Sequence, residues 1–90
     1  MKETLQALAG REVVVDTRSP WMYIGRLAAM QADSLLLQDV DVHDCGETSA
    51  PRERYLLDSI DSGIKANRRS VYVNLDYVVS VSLLSEVIKY

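Results

Sequence analysis

Residues 21–30, "WMYIGRLAAM", and 34–44, "SLLLQDVDVHD", are two strand-forming runs separated by the polar break Gln31-Ala32-Asp33. Gly25 sits inside the first run. Glycine within a strand marks a bend, a bulge or the close approach of another backbone. The pattern predicts a bent strand, a short turn and a returning strand. A strand that bends sharply can serve both halves of a small barrel, provided no side chain stands at the bend.

The flanking segments fit that architecture. In "KETLQALA" (2–9), Leu5 and Leu8 lie three apart, which predicts a short amphipathic helix stopped by Gly10. "EVVVDT" (12–17) is β-branched and reads as a strand, followed by the turn "RSP" (18–20). "CGETSAP" (45–51) breaks the third strand. "PRERYLLDSIDSG" (51–63) then predicts a second helix, with Pro51 in its first turn, Leu56 and Ile60 four apart and Gly63 as cap. A continued strand through "RYLLDSI" is the alternative. "IKANRRS" (64–70) reads as a positively charged connection, and "VYVNLDYVVSVSLL" (71–84) as two strands around a tight turn at Asn74-Leu75-Asp76. The expected fold is mainly β: one domain over 1–90, with five antiparallel strands curled into a small barrel. A flat sheet of that size would leave both edges and one face unburied.

Composition narrows the partners. Ten Lys and Arg against thirteen Asp and Glu give a net charge of −3, so no global positive field draws the chain to nucleic acid or an anionic membrane. Any such contact must be local. One cysteine, Cys45, allows no intrachain disulfide. The opening "MKETLQALAG" is mixed and charged, unlike a secretory signal, and no apolar run approaches the roughly 18 residues of a membrane span. The expectation is a soluble cytoplasmic protein without a cofactor.

Few residues carry chemistry. Asp39, Asp41 and His43 alternate along the third strand, away from Val40 and Val42, with Cys45 next in step. Their donor types suit a metal, but no CxxC or HxxxH spacing accompanies them, and a solvated strand face has the same pattern, so no metal site is assigned. One histidine and one cysteine two residues apart make an awkward nucleophile pair, and no enzyme activity is expected. Lys65, Arg68 and Arg69 form the densest positive group, able to hold phosphates or to pair with nearby carboxylates. Trp21, Tyr23, Tyr55, Tyr72 and Tyr77 could stack on bases or fill barrel and interface surface.

The order of elements, with "LQALAGREVVV" (5–15), the Y-x-G-x-L of Tyr23, Gly25 and Leu27, "LLLQDV" and "VYVNLDYVVSV" (71–81), resembles the Sm and Sm-like family. The resemblance covers about two thirds of the chain. It implies an N-terminal helix on a bent five-stranded barrel, and rings closed by pairing the fourth strand of one copy with the fifth of the next. Six or seven copies is what it implies. The family's RNA-contacting turns depart from type here. Gln31 stands near the family's aspartate and Ser34 near its base-reading asparagine. Asn74 stands where an arginine would sandwich a base, and Leu75 where a glycine follows it. The uridine pocket is therefore not carried over, although Ser34 and Asn74 can still hydrogen-bond a base edge or sugar. Turns use such residues without any ligand as well.

Two functions follow. One is a homo-oligomeric ring holding single-stranded RNA through Gln31, Ser34 and Asn74, with Lys65, Arg68 and Arg69 as further nucleic-acid contacts. The other is a scaffold ring that uses the 45–70 insertion to engage a protein partner.

Overall fold

The computed structural model describes residues 2–46 and 52–88. The elements run α1 (Lys2–Gln6), β1 (Glu12–Thr17), β2 (Trp21–Met30), β3 (Ser34–Asp44), α2 (Arg52–Ser62), β4 (Arg68–Asn74) and β5 (Val78–Leu83). Leu75–Tyr77 and Leu84–Glu86 are 3₁₀ turns. The strands form a single antiparallel sheet in the order β4-β3-β2-β1-β5. β4 and β5 are its edges.

Gly25 is where the sheet folds over. A Cβ there would stand 3.1 Å from the Gln38 carbonyl oxygen and 3.2 Å from the Val40 Cα, closer than a side chain tolerates against backbone. The β2–β3 register shifts between Ile24 and Arg26, opposite Asp39, whose φ is +52°. Asp39 is thus the extra residue of a bulge, which bends the strand and reverses which side chains face inward. Leu35 and Leu37 point into the sheet's interior before it, and Val40 after it. The bent sheet closes on Leu5, Val13, Val15, Leu27, Leu35, Leu37, Val40, Val73 and Leu83. On the opposite face of β1 and β2, Val14, Met22 and Ile24 are covered by Leu56 of α2 and by Leu84.

Several expected boundaries move. The first helix ends at Gln6 rather than 9, because Leu8 and Ala9 donate to the carbonyls three residues back and the chain tightens to Gly10 at φ +83°. β4 begins at Arg68 rather than 71, because β3 is long enough to pair Val40 with Arg68. Arg68 and Arg69 therefore lie on a strand and not in a connection. The helix between β3 and β4 is present in place of the alternative strand, and Gly63 follows it at φ +85°. Pro51 lies outside the described residues.

Candidate nucleic-acid interface

Two turns meet at one end of the sheet. The β2–β3 hairpin closes with the Gln31 N–H on the Ser34 carbonyl at 2.9 Å. The β3–β4 register sets Ser34 directly opposite Asn74. The Leu75 N–H donates to the Asp33 carbonyl at 2.9 Å, so the hairpin tip and the β4–β5 turn are bound to each other. Asn74 caps the 3₁₀ turn, its Oδ1 accepting from the Asp76 N–H at 2.9 Å. With that oxygen engaged, the side chain offers a ligand its amide donors. Gln31 and Asn74 are exposed and Ser34 is half-buried. These three sequence-predicted residues are brought together.

The basic group is not brought to them. Arg68 and Arg69 begin the strand that Asn74 ends, and at roughly 3.3 Å per residue they stand about 20 Å away. They border a shallow hollow with Asp39, Ala66 and Asn67, and the Arg68 guanidinium donates to the Asn67 carbonyl at 2.9 Å. Lys65 faces a different hollow, lined by Asp41, Tyr55, Asp58, Ser59 and Gly63.

The strand face that suggested metal ligands is divided by the bulge. Asp39 turns outward and pairs with Arg26 at 2.9 Å, so it shares no face with Asp41 and His43. Asp41 is buried and accepts hydrogen bonds from the Tyr55 hydroxyl and, at 3.5 Å, from Asn67. Tyr55 stacks on His43 with ring centroids 3.7 Å apart. Burial, and then the Asp41 carboxylate, push the Tyr55 phenol well above its ordinary range. Asn67 also exchanges hydrogen bonds with the Val42 backbone in both directions at 3.0 Å. Among the described residues, no three His, Cys, Asp or Glu side chains are placed to hold a metal ion. The cluster seats α2 on the sheet.

Sequence patterning left the aromatic residues undivided between stacking and packing. The structure divides them: Tyr23 packs against the interior and Tyr55 packs from α2 onto the outer face of the sheet, while Tyr72 and Tyr77 are 64% and 56% exposed. The signal for Tyr72 was available, since it alternates with the inward-facing Val71 and Val73.

Two solved Sm proteins share this fold. An Sm protein of Pyrococcus abyssi, solved with a uridine heptamer, matches 91% of this chain and 94% of its own at a TM-score of 0.63 and 14% identity. A heptameric archaeal Sm protein matches 90% of this chain and 96% of its own at 0.56 and 20% identity. The fold is Sm-like. A chain of the NatC complex, solved bound to CoA, matches 88% of this chain and 82% of its own at 0.58 and 20% identity. No family model matches the sequence, and no curated protein matches it. Among the described residues no helix is long and apolar enough to cross a membrane.

Proposed function

We propose that the chain is the subunit of an Sm-like homo-oligomeric ring that holds single-stranded RNA at the turns carrying Gln31, Ser34 and Asn74. The observation that carries this reading is the junction of those turns, with Ser34 opposite Asn74 and Leu75 hydrogen-bonded to Asp33. In a ring closed by β4 of one copy on β5 of the next, the junction repeats once per copy on one side of the assembly. The Ser34 hydroxyl donates and accepts and the Asn74 amide donates, a set that fits base edges and ribose hydroxyls. The uridine heptamer held by the P. abyssi protein supports RNA as the ligand class. Asn74 and Leu75 lack the arginine and glycine of the family's pocket, so the preference for uridine is not part of the proposal. Arg68 and Arg69 at the far end of β4, and Lys65 over its own hollow, serve phosphates and position a strand without reading it.

The test is titration of the purified protein with short RNA homopolymers at low and at physiological salt. Affinity that falls as salt rises, and that Ser34→Ala with Asn74→Ala lowers severalfold, is the expected result. No binding even at low salt defeats the RNA part of the reading.

A protein-interaction ring is the second reading, supported by the match to a chain that is part of a multiprotein assembly. Its partner surface is the outward side of α2, where Glu53, Arg54 and Asp58 are exposed. Exchanging their charges would then abolish partner capture while leaving stability and ring mass unchanged.

A further inference from the structure

A cleft of about 270 Å³ opens between the end of β4, the 3₁₀ turn after it and the β1–β2 turn, lined by Thr17, Ser19, Tyr23, Tyr72, Asn74 and Tyr77. We infer that it is a stacking subsite for one base of a bound single-stranded RNA, beside the Ser34–Asn74 junction and distinct from it. The inference rests on the RNA reading above.

The walls are held in place before any ligand arrives. The Arg18 N–H donates to the Tyr77 carbonyl at 2.9 Å, fixing the 3₁₀ turn to the β1–β2 turn. Within the latter, the Thr17 and Ser19 hydroxyls are 2.7 Å apart, and the Trp21 N–H donates to Ser19 Oγ at 3.2 Å. Two tyrosine rings are left largely in water at the cleft. An exposed ring at a concave, preformed site is the arrangement that accepts a flat aromatic partner. No lining side chain is a carboxylate or a cation, so the cleft suits an uncharged ring rather than a phosphate. Hydroxyls at Thr17 and Ser19 and the amide donors of Asn74 supply hydrogen-bonding groups around it. Asn74 borders both the junction and the cleft, so a strand held at one reaches the other in a single nucleotide step.

Tyr77 lies outside both edge strands, which separates its stacking role from assembly. Trp21 is the sole tryptophan and its backbone N–H is bound to Ser19 of the cleft lining, so its emission is the readout for occupancy. Short RNA homopolymers are titrated into wild type, Tyr77→Ala and Tyr77→Phe, with ring mass checked by light scattering. Tyr77→Ala is expected to weaken binding about tenfold at unchanged mass, and Tyr77→Phe to keep affinity because the π-face is retained. Unchanged affinity in Tyr77→Ala at unchanged ring mass overturns the inference and leaves the RNA reading standing. If wild type binds no RNA, that reading falls, and uridine and adenosine monophosphates are titrated against Trp21 emission. Saturable quenching that Tyr77→Ala removes then supports a base-binding cleft, and none overturns it.

Discussion

The interior of the bent sheet and the surface beneath α2 are both buried, yet they are built from different materials. Inside the sheet, Val13, Val15, Leu27, Leu35, Leu37 and Val40 are wholly buried, and every fully buried member is aliphatic. Beneath α2, Met22, Ile24 and Leu56 share the contact with a carboxylate, a phenol, an imidazole and an amide. His43 Nε2 is buried there without a hydrogen-bond partner among the described residues. A core of the first kind is stabilised by volume and shape, and tolerates little loss of either. A contact of the second kind depends on each polar group being satisfied, and loosens when one is removed. The fold is therefore held by the sheet, and α2 by its polar anchors.

Substitutions in each region can break that distinction. Leu37→Ala, deep in the interior, is expected to cost about 3 kcal/mol of global stability in urea unfolding. A loss confined to local fraying would contradict a single cooperative interior. Gly25→Val places branched methyls against the backbone of Gln38 and Val40 and is expected to cost about 2 kcal/mol. If it is neutral, the bend does not depend on glycine.

Tyr55→Phe removes a donor from buried Asp41 and is expected to cost about 1–2 kcal/mol. The loss should be seen first as faster amide exchange in α2, with β1–β3 protected as before. The same residue gives the region a pH signature. The folded state holds the Tyr55 phenol protonated beyond the range in which the unfolded chain ionises, so the unfolded state releases the proton first. Stability from this group is full below about pH 10, the ordinary tyrosine range, and declines as pH rises above it. Tyr55→Phe should flatten that alkaline decline, and an unchanged slope would show that other groups cause it. The smallest effect is expected at Arg26→Ala. Its ion pair with Asp39 is 42% and 65% exposed, and the loss should stay under about 0.5 kcal/mol.

The same division explains how much could be read in advance. The strands of the interior announce themselves through β-branched runs and through Gly25, and the order of elements placed them in an Sm-like sheet. The reversal at Asp39 could not be read. An aspartate in regular alternation looks the same whether or not one residue is extruded, and only the register shift between Ile24 and Arg26 decides it. Lys65, Arg68 and Arg69 looked like one patch because they are adjacent in sequence, but strand pairing at Arg68 sets the arginines and Lys65 over different hollows. The seat of α2 was hidden for a different reason. Tyr55 reaches Asp41 and His43 across more than ten residues of intervening chain, and no periodicity encodes a contact between a helix and a strand that distant. Ser34 and Asn74 were legible because each sits at a turn, and turns at the same end of an antiparallel sheet meet.

The proposed ring depends on β4 and β5 meeting their counterparts on other copies rather than each other. Both carry exposed apolar side chains, with Tyr72 on one and Val79, 60% exposed, on the other. Unpaired edges of this kind recruit further strands. Light scattering on dilute, nucleic-acid-free protein tests this directly. The account predicts one species, independent of concentration, at a whole multiple of 10.1 kDa large enough to close a ring. A stable species of 10.1 kDa would contradict it.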